Sequence, residues 1–284
     1  MAQFTNQAQL SYNDTIVNSN VVVGEILEVV SAEKTAALDT YTADGTVTYV
    51  ISVVNTGSTP IQNLTVTDNL GAYTQGTETR TPLSYVDGSV RLFINGVLQP
   101  APTVVAAPTF TVSGITLPAD SDLVLLYTAE VNEYAPLGVT DSIVNTATVT
   151  GNGIPTPITV TETITPAQAI SLRITKSVDP VPVSENGTLT YRFVIENFGN
   201  VAATAADNVA LSDLFDPILS GLTVNLDGVT WTEGVQYNYN EATGQLNTVP
   251  GQITVPAATY VQDIVTGVWS VTPGVTVLTV SGTV

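Results

Sequence analysis

Apolar and polar residues alternate with a period of two over short stretches of the chain, as in Val47, Tyr49, Ile51 and Val53 set against Thr46, Thr48 and Ser52. That is the period of a half-buried β-strand, whose successive side chains point to opposite faces. The stretches are rich in Val, Thr, Ile and Tyr and are divided by Gly, Pro, Asn and Asp, the pattern of strands joined by tight turns. Tyr237 to Leu246 (YNYNEATGQL) predicts a hairpin that turns near Gly244. No segment carries a capped apolar stripe at helical spacing, so no helix is expected.

The pattern is written twice. Gly45 to Gly57 (GTVTYVISVVNTG) recurs as Gly187 to Gly199 (GTLTYRFVIENFG), and Lys34 and Lys176 keep the same spacing to these runs. Thr67-Asp68 answers Ser212-Asp213, and Ile115 to Ala119 answers Ile253 to Ala257. Two repeats of short alternating strands predict an all-β fold of two tandem β-sandwiches.

These residues resemble a bacterial surface repeat family, domain of unknown function 11. Its pattern has a first-strand Lys, a G-[DT]-x-[VL]-T-Y-x-[IV]-x-[VIL]-x-N-x-G stretch, a T-D pair and a closing N-T-A-T-V strand. Lys34, Gly45 to Gly57, Asp68 and Asn145 to Val149 carry the resemblance in the first copy. Lys176, Gly187 to Gly199 and Asp213 carry it in the second, which has no N-T-A-T-V. The resemblance implies immunoglobulin-like sandwiches on a bacterial surface, and a fold alone does not give a function.

The second copy runs to Val284 with no counterpart of the closing strand Ile143 to Val149. Phe4 to Tyr12 (FTNQAQLSY), ahead of the first Lys, aligns with that strand: Asn6 with Asn145, Ala8 with Ala147, Leu10 with Val149. Val21 to Leu27 echoes Ile158 to Ile164, which sets Glu25 against Glu162. The expected division is a donor strand and connector at 1–25, a complete sandwich at 26–166 and a second sandwich at 167–284 that lacks its closing strand. Such a sandwich exposes an apolar groove and unpaired backbone groups, a template for strand addition. The N-terminal strand presents Phe4, Asn6, Ala8, Leu10 and Tyr12 on one face. Donation to a neighbour is heterologous and propagates into an open filament, the donor-strand logic of pilins. The expected function is a structural subunit that polymerises head to tail with itself. The competing arrangement folds the strand back onto its own second sandwich, giving a closed monomer.

Composition narrows the chemistry. Six Lys and Arg stand against 25 Asp and Glu, for a formal charge of −19, which disfavours nucleic acid and anionic membrane partners. With neither Cys nor His, thiolate and imidazole metal sites are absent, no D-x-D-x-D-G calcium loop occurs, and no metal or cofactor is expected. No stretch approaches the roughly 20 apolar residues of a spanning helix, so no membrane insertion is expected. Met1 to Tyr12 shows no basic flank, apolar run or cleavage site of a signal peptide. The expected location is extracellular, on the cell or spore surface, reached in a mature form or after mother-cell lysis.

Only two Lys occur, at equivalent positions of the repeat. Surface sandwiches of this general kind can join Lys to Asn through an isopeptide bond, which needs a neutral amine, a carboxamide beside it and a carboxylic acid to shuttle protons. The candidate intramolecular set is Lys34, Asn145 and Asp68, with Glu130 as the second choice of acid. The candidate intermolecular set is Lys176, Asp213 and the donated Asn6. The other reading is a salt bridge between each Lys and its Asp. Beyond such a single-turnover self-reaction no enzyme is expected: Asp120 with Asp122 and Glu130 with Glu133 have the spacing of solvated strand edges, and no Walker loop, G-x-S-x-G elbow or zinc motif occurs. The rival function is a monomeric adhesin or carbohydrate-binding module, with Trp231, Trp269 and Tyr237 or Tyr239 as a stacking platform.

Overall fold

The computed structural model describes residues 2–107 and 109–284. An N-terminal arm holds β1 (Ala2–Asn6), β2 (Gln9–Tyr12), β3 (Thr15–Asn18) and β4 (Val22–Ile26). Then come β5 (Val30–Ala36), β6 (Thr40–Tyr41), β7 (Thr46–Asn55), β8 (Ile61–Asp68), β9 (Tyr73–Gln75), β10 (Glu78–Arg80), β11 (Leu83–Tyr85), β12 (Arg91–Ile94), β13 (Val97–Leu98), β14 (Thr103–Val105), β15 (Phe110–Leu117), β16 (Ser121–Val131), β17 (Ile143–Asn152) and β18 (Ile158–Pro166). The second repeat forms β19 (Leu172–Asp179), β20 (Thr188–Asn197), β21 (Ser212–Leu214), β22 (Ser220–Leu226), β23 (Val229–Thr230), β24 (Tyr237–Asn240), β25 (Gln245–Thr248), β26 (Thr259–Gln262), β27 (Trp269–Thr272) and β28 (Gly274–Thr283). Among the described residues, helical structure is confined to one 3-10 turn at Ala205–Asp207.

In the first sandwich a sheet ordered β13-β12-β16-β7-β5 faces a sheet ordered β14-β15-β8-β17-β18-β6. Alternation puts Tyr49, Ile51, Val53, Leu123, Leu125 and Tyr127 of the one against Leu64, Val66, Phe110, Val112, Ala147 and Val149 of the other, all fully buried. The second sandwich repeats the first sheet as β19-β20-β28-β22-β23, and Tyr191 stands opposite Val280 where Tyr49 stands opposite Tyr127. Its facing sheet is the three-stranded β21-β25-β24, so among the described residues nothing pairs with β21 on the side where β17 pairs with β8. The expected hairpin is present as β24 and β25, with Gly244 at φ 75.

The N-terminal segment differs from the expected single strand and connector: it is a two-stranded antiparallel hairpin. β1 pairs with β4 and β2 with β3, around Asn13 and Asp14 at φ 43 and 62, left-handed conformations that Asn and Asp tolerate and a tight hairpin turn needs. The ladder is interrupted at Gln7 and Ala8, so Ala8 lies between strands. Asn6 pairs with Val22 and Glu25 with Gln3, whereas Asn145 pairs with Glu162. The counterpart of Glu162 is therefore Val22, and the sequence echo is out of register at Glu25. Hydrogen bonds of the described arm residues stay within the arm.

The arm and the second sandwich attach at opposite ends of the first. The arm enters beside Asn55, where Thr56 N–H donates to Val29 O at 2.8 Å and Val30 pairs with Asn55. The second sandwich seats at the Thr46 end of β7, where Trp269 N–H donates to Glu133 O at 3.0 Å, Arg80 Nη2 to Val265 O at 2.9 Å and Asn200 Nδ2 to Leu137 O at 3.1 Å.

The repeated N-x-G is a buried clamp. Asn55 Nδ2 donates to Thr59 O and Pro118 O at 2.9 and 2.8 Å, and its Oδ1 accepts from Gly57 N–H at 3.0 Å. Asn197 repeats this with Val201 O, Pro256 O and Gly199 N–H. Each Asn thus satisfies loop carbonyls that would otherwise be orphaned. Replacing Asn55 or Asn197 by Ala is expected to destabilise its own sandwich by on the order of 2 kcal/mol, read as a lower thermal midpoint for that unit; an unchanged midpoint would show that the clamp is dispensable.

Candidate functional site

The sequence-predicted cluster of the first sandwich assembles in the core. Lys34 on β5, Asp68 at the end of β8 and Asn145 on β17 come from three strands of the two facing sheets, and all are buried. Lys34 Nζ donates to Asp68 Oδ2 at 2.7 Å, both side chains at 0% exposure. The same oxygen accepts from the Tyr127 hydroxyl at 2.7 Å, and that hydroxyl accepts from Asn145 Nδ2 at 3.0 Å. Asn145 Oδ1 accepts from Gly71 N–H at 3.1 Å, at a glycine whose φ of 73 allows the backbone to turn toward the amide. Asp68 Oδ1 accepts from Leu70 N–H at 2.8 Å. Glu130 is exposed on the outer face of β16 and takes no part, which removes the second choice of acid.

Burial lowers the Lys34 ammonium from its ordinary 10.5 to about 8, against the opposing pull of Asp68 and, more weakly, Glu162. Burial, then the Asp68 charge, pushes the Tyr127 phenol well up, so it stays a donor to Asp68. Lys34 also lies 4.8 Å from the centroid of the Tyr49 ring. The buried Tyr49 hydroxyl makes no well-formed hydrogen bond; the groups acting on it are the Asn145 amide, Asp68 and Glu162. Chemically the cluster brings an amine of lowered basicity, a carboxylate hydrogen-bonded to it and a carboxamide together in the buried core.

The second sandwich holds an opened version. Lys176 Nζ is paired with Asp213 Oδ2, but their side chains are 39% and 17% exposed. Lys176 rests on aromatic faces, 4.6 Å from the Tyr191 centroid and 5.3 Å from that of Phe215. Val280 replaces Tyr127, so Asp213 has no phenol. Asn6 does not join this pair within the chain: it sits exposed on the arm, as do Phe4, Ala8, Leu10 and Tyr12.

Other candidates resolve differently. Trp231 and Tyr237 pack in the second core, the Tyr239 hydroxyl is bound to Leu219 O at 2.8 Å and Trp269 is half-buried at the junction, so the four form no exposed stacking platform. Asp120, Asp122 and Glu133 are exposed. Among the described residues no three acidic groups gather as a metal site, and no helix is long and apolar enough to cross a membrane. A groove of about 870 Å³ opens at the root of the arm, between Leu27 to Ala32 and Gly153 to Ile158. Tyr127 and Tyr49 were missed from sequence; the signal was a phenol in phase with Leu123 and Leu125, since a buried hydroxyl needs a partner.

Solved structures to which the chain is similar include the major pilin subunit BcpA of Bacillus cereus, at 13% identity and a TM-score of 0.39 over 95% of this chain and 73% of that one. The pilus backbone RrgB of Streptococcus pneumoniae is 14% identical with a TM-score of 0.36, over 86% of this chain and 55% of its own. The major pilin SpaD of Corynebacterium diphtheriae is 10% identical with a TM-score of 0.37, over 78% and 50%. No family model matches the chain, and no curated protein matches it.

The two buried phenols separate the roles in the cluster. Tyr127→Phe is expected to destabilise the first sandwich by about 2 kcal/mol or more, because it leaves Asp68 and Asn145 short of partners, whereas Tyr49→Phe removes a hydroxyl that lacks one and is expected to be neutral or stabilising. Urea unfolding of both variants checks this, and equal losses would contradict the hydrogen-bond assignment.

Proposed function

We propose that this protein is a structural subunit of an extracellular, cell-surface or spore-surface fibre, built head to tail by donation of the N-terminal arm to the second sandwich of the next copy. The observation that carries this reading is internal: the same Lys–Asp pair is sealed in the first sandwich and open in the second. What seals it in the first is β17 and β18, and the arm is the segment that aligns with them. Phe4, Leu10 and Tyr12 stand 51, 65 and 57% exposed on that arm. Fully burying such a side chain contributes about 1.5–3 kcal/mol.

Self-closure is disfavoured by reach. The ten residues of β7 separate the arm's root from the seat of the second sandwich, roughly 30 Å at the rise of a strand. The link between β4 and β5, residues 27–29, spans at most about 10 Å. A neighbour's second sandwich meets no such limit, and a donor-to-acceptor contact repeats into a filament. The adhesin reading loses its support with the loss of the aromatic platform. Negative-stain microscopy of the full chain is expected to show filaments, and a variant without residues 2–26 none, with unchanged melting of the sandwiches. Monodisperse particles from the full chain would overturn the reading.

We further propose that the buried cluster welds itself. The Lys34 proton passes to Asp68 Oδ2, the neutral amine attacks Cγ of Asn145, and Asp68 gives that proton to the departing nitrogen and takes up the second proton of the attacking amine, so that a C–N bond forms, another breaks and ammonia leaves. Lys176 and a donated Asn6 stand in the same relation between subunits. The reaction turns over once and consumes no co-reactant. The lowered basicity of Lys34 and its 2.7 Å contact with Asp68 support this. Intact mass under denaturing conditions is expected to fall short of the sequence mass by one ammonia per bond, with Lys34→Met removing one such loss; a full sequence mass in folded protein would end the idea.

A further inference from the structure

The arm and the open edge of the second sandwich match over two strands, not one. In the first sandwich two consecutive antiparallel strands do the covering: β17 pairs with β8, and β18 pairs with β17 and lies along β5. β18 is no ornament, since Ile164 is fully buried and Ile158 and Val160 pack against the core. Glu162, on the same strand, acts electrostatically on Lys34.

The arm is built on that plan. Leu10 stands opposite Val17 as Val149 stands opposite Ile158, and Asn6 stands opposite Val22 as Asn145 stands opposite Glu162. Phe4 faces Gly24 as Ile143 faces Ile164, one large side chain over a glycine in place of two of middle size. The Phe4 ring occupies the space a Cβ at position 24 would need. Val17 and Val22 are 47 and 54% exposed, on the strand opposite the one the alignment singled out. The receiving surface is open over two strands as well: β21 lacks a described partner on one edge, Leu214 is 61% exposed, and Ile174 on β19 is 55% exposed.

We propose that the arm of one copy enters the second sandwich of the next as a hairpin, with β1 and β2 along β21 in the place of β17, and β3 and β4 beside β19 in the place of β18. The register follows from Ala147 opposite Asp68 and Thr148 opposite Thr67: Ala8 falls opposite Asp213 and Gln9 opposite Ser212. Asn6 and Val22 then close over the Lys176–Asp213 pair, which is incomplete without the partner copy. This rests on the head-to-tail reading and adds to it the second strand, the register and the sealing of Lys176.

The full-length protein tests it. With only two lysines in the chain and Lys34 sealed, an amine-reactive acylating reagent read by peptide mass spectrometry reports on Lys176 directly. Labelling of Lys176 is expected in dispersed subunits and lost in filaments. Val17→Asp is expected to abolish filaments, while Ile16→Asp, on the opposite face of β3, leaves them. In a chain free of Cys, Gln9→Cys combined with Ser212→Cys, in an Asn6→Ala background that cannot form the Lys176–Asn6 bond, is expected to give a disulfide-linked ladder under oxidising, denaturing conditions that a reductant collapses. Filaments from Val17→Asp would overturn the hairpin and leave single-strand donation standing, and Lys176 labelled in filaments as in subunits would overturn donation over the Lys176–Asp213 pair in either form. No filaments from the unaltered protein would overturn both.

Discussion

A lysine placed in the apolar interior of a sandwich dictates what must surround it. Removing an ammonium from water is costly unless a carboxylate and further hydrogen bonds compensate. Lys34 meets that demand with Asp68, and Asp68 meets its own with Tyr127 and a backbone N–H. The arrangement holds only while β17 and β18 lie over it, because Asn145 comes from the one and Ile164 from the other. The closing strands are thus tied to the pair they cover. Where the described chain places no such strands, over Lys176 and Asp213, the pair stands in contact with water and its lysine leans on aromatic faces instead.

The same constraint separates two units of one design, one with its Lys–Asp pair sealed and one with it open. The sheet that carries the lysine is alike in both, down to the register of β7 with β16 and of β20 with β28 and the clamp at Asn55 and Asn197. Over the lysine the difference lies in the opposite sheet, where β21 has no described partner in the place of β17. An unpaired strand edge next to exposed apolar residues is an open template, and β21 with Leu214 beside it is such an edge.

Much of this was legible in the sequence because it depends on period and repetition. Alternation gave the strands, the recurrence of G-T-x-T-Y gave the two sandwiches, and the inward phase of Asn145 with Ile143 and Ala147 put it in the core beside Lys34 and Asp68. What escaped depends on pairing, which no period encodes. The turn at Asn13 and Asp14 joins two weakly alternating stretches, and Val21, Val22 and Val23 in a row hide which of them faces inward. The echo that set Glu25 against Glu162 followed residue type, whereas the ladder sets Val22 there. Tyr127 was hidden for a related reason: in a strand of apolar residues a tyrosine reads as core packing, and its hydroxyl gains meaning only once β8 is placed across from it.

A pre-paired hairpin is also the more economical donor in physical terms. Fixing a flexible strand costs about 1–2 kcal/mol of backbone entropy per residue, and association itself costs several kcal/mol more in lost rigid-body freedom. A segment already held by its own cross-strand ladder has met part of the first cost before it docks, and only one of its edges has to find new partners. An isolated hairpin is marginal in water, so in the proposed docking arm and acceptor would stabilise each other: the hairpin gains β21 as a third strand, and the acceptor sheet gains its closing strands. In the proposed docking Phe4, Leu10 and Val17 would supply the apolar contact, while Gln3, Gln9, Asn18 and Glu25 keep a polar set within the arm, linked by side-chain hydrogen bonds. That division favours a donor that is soluble when free, with its charge and amides on one side, and buried in one register when bound, since a slip by one residue would turn the polar set inward.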